Sequence, residues 1–169
     1  MGLDSSCADV VLVQERDGVL SVPLIRRAKP PFQGMWWLTG GAIFNYRPVH
    51  QFLLWKALKE GGLTTLEIDD FVREKGLEDD TTSCGGIHIV GCFGVARTAA
   101  EDTDGLGLVC DTMNNCYLGI AERDVAFHHD RAHDDIRWVT TDTLGDLGHW
   151  YPEWAARRAL DICIEARKA

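Results

Sequence analysis

Residues 36–63, WWLTGGAIFNYRPVHQFLLWKALKEGGL, constrain this chain more than any other stretch. An apolar run, Trp36-Trp37-Leu38, meets Gly40-Gly41 and continues through Ala42-Ile43-Phe44. Adjacent glycines inside an apolar run mark a strand whose backbone bends or closely approaches something else. Asn45-Tyr46-Arg47-Pro48 breaks the pattern, and Pro48 suits the first turn of a helix, where a missing N–H costs nothing. From Val49 the apolar residues Phe52, Leu53, Leu54, Trp55, Ala57 and Leu58 recur at helical spacing until Gly61-Gly62 stops them. The stretch therefore reads as strand, glycine loop, helix and glycine cap.

Strand patterns surround it. Cys7–Gln14 is an apolar, β-branched run, Arg16-Asp17-Gly18 makes a turn, and Val19–Arg26 is the hairpin partner, with Pro23 marking an edge or a bulge. Residues 27–35 form a proline-rich loop. After the central helix come a polar segment (66–75), a loop (79–86) and a buried strand, Ile87–Val95. Residues 99–107 read as an exposed acidic turn, a strand begins at Cys116, and 125–135 is mostly polar. Ile136–Thr140 is a short strand, Thr141–Leu144 a helix start, and Tyr151–Lys168 an amphipathic helix turning Trp154, Ala155, Leu160, Ile162, Cys163 and Ala166 to the core. Trp36, Trp37, Trp55 and Trp138 sit in apolar patterns and are expected in the core. With no internal repeat and no linker, the 169 residues are expected to form one α+β domain, residues 1–169.

A net charge of −9 argues against a general nucleic-acid or membrane binder, so an anionic ligand needs a local basic patch or a bridging cation. Met1–Ser6 lacks the basic and apolar regions of a signal peptide, and no stretch approaches a transmembrane span. The six cysteines have no metal-ligand spacing and read as reduced thiols in strands and a helix of a cytoplasmic protein.

The glycine loop leading into a helix resembles the signature of the Nudix hydrolases, in which that helix bears metal-binding glutamates. Counted from Gly41, the signature positions hold Arg47, Trp55, Lys56, Ala57, Lys59, Glu60, Gly62 and Leu63. Glycines, apolar positions and one glutamate match. The first glutamate, the arginine and two of the helix carboxylates do not. The resemblance implies the Nudix fold, a mixed β-sheet sandwiched between α-helices, with a degenerate signature. It also implies a nucleoside-diphosphate-linked small-molecule ligand, Mg²⁺ as cofactor, and pairing into a homodimer.

Three further strings are similar to one branch of that family, the GDP-mannose mannosyl hydrolases. They are Cys7–Val11, the loop Arg26-Arg27-Ala28-Lys29-Pro30-Pro31-Phe32-Gln33-Gly34, and Ala132-His133-Asp134-Asp135-Ile136-Arg137-Trp138. By this resemblance His133 is the general base, Arg27 and Asp9 stabilise the departing diphosphate, and Glu60 with a glycine carbonyl, Gly40 or Gly41, remains to hold metal. A glutamine and an arginine of that branch fall on Ala132 and Ala42.

The residues themselves leave alternatives open. His133 has Asp130, Asp134 and Asp135 nearby, and carboxylates favour a protonatable imidazole; it also reads as a surface histidine of an acidic loop. Lys56, Lys59 and Glu60 share one helix face at spacings i, i+3 and i+4, and two ammonium groups beside one carboxylate repel a divalent cation. That face is either plain solvated surface or one where lysines replace the metal and bind a diphosphate directly. Arg26, Arg27 and Lys29 either clamp phosphate oxygens or decorate a solvated loop. Two functions follow: a hydrolase of a nucleotide sugar such as GDP-mannose, or an inactive Nudix-fold protein that binds a nucleotide-type ligand or a protein partner.

Overall fold

The computed structural model describes residues 3–29, 32–43, 48–60, 83–84, 86–100, 110–122 and 133–169. Strand β1 (Leu3–Arg16) is its spine. One edge of β1 runs parallel to β7 (Cys110–Ala121) from Leu3↔Cys110 to Gln14↔Ala121. Its other edge is shared by two antiparallel partners: β2 (Val19–Arg27) at Gln14–Arg16, and β4 (Thr39–Ala42) at Cys7–Val10. Asp17 and Gly18 both take positive φ, 51° and 79°, the geometry of a two-residue hairpin turn.

Beyond Ser21, β2 leaves β1 and pairs with β8 (His133–Val139) and β3 (Trp36–Trp37). Pro23 lies in that departed part of β2, where the side turned from β8 no longer needs its N–H. β6 (Ile87–Ala100) pairs antiparallel with β7, and β5 (Ser83–Cys84) edges the sheet beside β6. Among the described residues the result is a mixed sheet between two helices, α1 (Val49–Glu60) and α2 (Trp150–Ala166), as expected for the α+β class.

Alternation along β1 divides the core. Ala8, Val10 and Leu12 pack with Phe52, Leu53, Leu54, Ala57 and Leu58 of α1. Val11 and Val13 point the other way, into a cluster with Val22, Leu24, Trp37, Tyr151, Ala155, Ala159 and Leu160. Asp9 has the parity of Val11 and Val13, so its carboxylate is directed at α2.

Several boundaries differ from the expectations. β6 runs past Val95 to Ala100, and β7 starts at Cys110 instead of Cys116. These polar extensions hold because their inward side chains satisfy one another: buried Asn114 donates from Nδ2 to Thr98 Oγ1 at 2.8 Å. β8 begins at His133, not Ile136. Thr141–Leu144 is a turn and starts no helix. Thr143 accepts the Thr140 N–H on its hydroxyl at 2.8 Å, and the N–H groups of Thr143 and Leu144 both reach the Thr140 carbonyl, which closes the chain locally.

In α2, Tyr151, Ala156 and Ala159 are core while Ala166 is exposed. Of the four tryptophans expected inside, Trp37 is buried and Trp36, Trp55 and Trp138 are half-buried. Cys7, Cys92, Cys116 and Cys163 are free thiols in strands and α2. The Gly61-Gly62 cap with Leu63, all of 66–75, most of 79–86, the acidic segment 101–107, and Arg47, His128, His129, Asp130 and Ala132 lie outside the described residues. Among the described residues no helix is long and apolar enough to cross a membrane.

Candidate active site

The glycine pair sets the site. Gly40 faces Asp9 across the β1–β4 ladder, and a Cβ at Gly40 would overlap both Asp9 Oδ1 and the Ala8 carbonyl oxygen. Only glycine lets the two backbones close this tightly. At Gly41 (φ 147°) a Cβ would instead lie 3.7 Å from Lys56 Nζ, so the ammonium of α1 hangs over the glycine backbone. Lys56 Nζ is also 3.7 Å from Glu60 Oε1, one helical turn on. This pair is shielded: the Lys56 side chain is 26% exposed and that of Glu60 6%.

Asp9 is buried, and Tyr151 Oη donates to its Oδ2 at 2.6 Å. The phenol oxygen lies 3.2 Å from Cys116 Sγ, so a chain of three protonatable groups runs from the core to the site. Burial pushes the Asp9 carboxyl up to about 7, against the Tyr151 hydrogen bond and the charges of Arg27 and Lys56, which pull it down. Burial holds the Cys116 thiol up at about 12, and burial and Asp9 push the Tyr151 phenol far above the usual range. Tyr151 and Cys116 therefore stay protonated donors, and Asp9 alone of the three changes charge near neutral pH.

Arg27 ends β2, its guanidinium carbon 6.0 Å from the centre of the Trp37 ring. The loop that follows folds back on it: Arg27 N–H donates to the Met35 carbonyl at 3.0 Å, and the Arg27 carbonyl accepts from Gly34 N–H at 2.8 Å. His133 sits opposite Arg27 on β8, across a bulge that skips Asp134. Of the acidic neighbours expected around His133, the two described ones are engaged elsewhere: Arg26 Nε donates to Asp134 at 2.8 Å, and Asp135 lies 3.9 Å from the same guanidinium. His133 is thus a strand residue beside a cation and no member of an acidic loop.

The fold gathers Asp9, Arg27, Lys56, Glu60 and Gly41, with His133 next to Arg27. It sets the others apart. Arg26 is committed to Asp134, and Lys29 is exposed. Lys59, expected on the same helix face as Lys56 and Glu60, is exposed and lies 4.9 Å over the Trp55 ring. Nothing in the amino-acid sequence singles out Tyr151 or Cys116 for this site. No local spacing ties Tyr151 to a carboxylate 142 positions away; a tyrosine on the apolar face of a helix was the only signal.

Mg²⁺ fits this donor set poorly. It needs near-octahedral oxygens, whereas Glu60 and Gly41 share their space with the Lys56 ammonium. Among the described residues no three His, Cys, Asp or Glu side chains converge as a metal site.

No family model matches the sequence, and no curated protein matches it. Solved structures do. The Nudix hydrolase RenU of M. smegmatis superposes with a TM-score of 0.60 at 17% identity, over 98% of this chain and 88% of that one. A MutT Nudix hydrolase of Burkholderia pseudomallei gives 0.55 at 17% identity, over 92% and 96%. A C. elegans Ap4A hydrolase in a binary complex gives 0.52 at 13% identity, over 96% and 98%. These likenesses are of architecture, and with the sheet, helices and glycine loop described above they mean that the chain has the Nudix fold.

Proposed function

We propose that this chain is a hydrolase of a nucleoside-diphosphate-linked compound, a nucleotide sugar such as GDP-mannose, in which Lys56 stands where the fold's other members place a metal ion. The observation that carries the reading is the Lys56 ammonium, 3.7 Å from Glu60 and lying over Gly41. A built-in cation there offsets the Glu60 carboxylate, and Arg27 adds a second positive charge beside Asp9 for a diphosphate. That local balance matters in a chain of net charge −9. His133, beside Arg27, takes a proton from the attacking water, and Arg27 with Asp9 steadies the departing diphosphate. Lys29 reaches the ligand from its loop, and Arg26 positions β8 through Asp134.

The fold neighbours support the substrate class at its coarse level: one is an Ap4A hydrolase, another a bifunctional NMN adenylyltransferase/ADP-ribose pyrophosphatase. The same missing carboxylates that admit Lys56 also suit the second reading, a Nudix-fold protein that binds its nucleotide without cleaving it. One experiment divides them. Thermal shift with GDP-mannose, GDP-glucose, ADP-ribose and GDP, each with Mg²⁺ or EDTA, is followed by an assay for released sugar. The expected result is metal-independent binding, with sugar release lost in His133→Ala. Strict Mg²⁺ dependence would refute the role of Lys56, and binding without turnover would leave the binding protein.

A further inference from the structure

Three side chains at the far end of the sheet stand in series. Ser83 pairs with His88 across the β5–β6 ladder, its Oγ 2.6 Å from His88 Nδ1. Glu122 Oε2 lies 3.1 Å from His88 Nε2 on the other side of the ring. That second contact is a close approach of carboxylate and ring that lies off the N–H axis and is not an aligned hydrogen bond. The backbone holds all three: Glu122 N–H donates to the Gly86 carbonyl at 2.9 Å, which ties the end of β7 to the β5–β6 turn. The group is remote from Asp9. Ala121, next to Glu122, pairs with Gln14, which is about 16 Å along β1 from Asp9 at the usual strand rise.

Chemistry follows from the order of the groups. A carboxylate at Nε2 favours the tautomer with its hydrogen there, leaving the Nδ1 lone pair for the serine hydroxyl. A hydroxyl in hydrogen-bond reach of an imidazole, itself flanked by a carboxylate, is the arrangement that makes a serine nucleophilic. A place for a reactant adjoins it. Glu122 and Ile120, the cross-strand partner of His88, also line one side of a cavity of about 590 Å³ that extends to Val13, Leu20 and the Glu15–Arg167 ion pair.

We propose that Ser83, with His88 as its base and Glu122 beside that base, is an activated nucleophile that takes the acyl group of small carboxylic esters. Ser83 Oγ bonds to the ester carbonyl carbon as the bond from that carbon to the alkoxy oxygen breaks. The hydroxyl proton passes to His88 Nδ1 and then to the departing alkoxide, which leaves as the alcohol. The acyl chain lies toward Ile120, the cross-strand neighbour of His88. This site is independent of the diphosphate-hydrolase reading.

A fluorophosphonate probe tests it on the full chain, since its phosphorus is attacked in the same way, with a phosphorus–oxygen bond formed and fluoride expelled. Intact mass and peptide mapping should show one adduct, on Ser83. Labelling should slow at least about tenfold in His88→Ala and several-fold in Glu122→Gln. Should His88→Ala not fold, exposed Glu122→Gln decides alone. No adduct above that of the urea-denatured chain, an adduct elsewhere, or rates within twofold of wild type in the folded variants would overturn the proposal.

Discussion

At Asp9, burial and hydrogen bonding act against each other, and burial wins. The carboxyl titrates at about 7 in the fold against 3.8 for an ordinary one, although Tyr151, Arg27 and Lys56 all favour its charged form. The folded chain therefore holds a proton that the unfolded chain has released between those values. The stability this contributes is complete below the unfolded value and is lost as pH rises through the folded one. Asp9→Asn removes the titration, so its unfolding free energy should fall less than that of wild type between pH 4 and pH 8. The difference should be at most about 4 kcal/mol, because each tenfold change in proton affinity is worth about 1.4 kcal/mol. Urea unfolding of both chains at several pH values measures it, and parallel profiles would contradict the assignment. Asp9 was singled out in the sequence only through the family resemblance of Cys7–Val11. Its partner was not, because the approach of Tyr151 exists only once α2 lies on the sheet.

The decisive element is α1. Its start at Val49 was legible from Pro48 and its length from the apolar spacing, while the Gly61-Gly62 stop lies outside the described residues. Its charges were legible only in part. Helical spacing groups Lys56, Lys59 and Glu60, yet the observed face is narrower: Lys56 pairs with Glu60 beside the glycine loop, and Lys59 turns to the Trp55 ring, whose face attracts an ammonium. Of the two helix lysines, the one at the glycine loop is thus Lys56. Lys56→Glu replaces the ammonium with a second carboxylate one turn from Glu60 and beside Gly41. It should give the chain a melting temperature that rises with added Mg²⁺ or Mn²⁺, which wild type lacks. A thermal-shift titration reads this directly. An equal rise in wild type would mean that cations already bind there.

Across the whole molecule, β1 lines both cores, Ala8, Val10 and Leu12 on the α1 side and Val11 and Val13 on the α2 side. Neither helix can leave without exposing a strand that the other also covers. Losing a fully buried Leu53 or Leu160 should therefore weaken the fold as a whole. Tryptophan fluorescence and far-ultraviolet circular dichroism should report coincident urea transitions, the behaviour of one cooperative domain. Separate midpoints would split the chain in two. The sequence by itself determined the hairpin at Asp17-Gly18, the strand–glycine–helix succession and the α+β class, since each rests on turn chemistry or on periodicity within a few residues. It fell short where a strand was polar, as in 96–100 and 110–115, because hydrogen bonds across strands satisfied those residues. Tertiary structure alone decided that Asp9, Tyr151, Arg27 and Lys56 meet, and that Ser83, His88 and Glu122 line up. Each set is assembled from separate elements, and the distances that define its chemistry come from packing, which no spacing along the chain encodes.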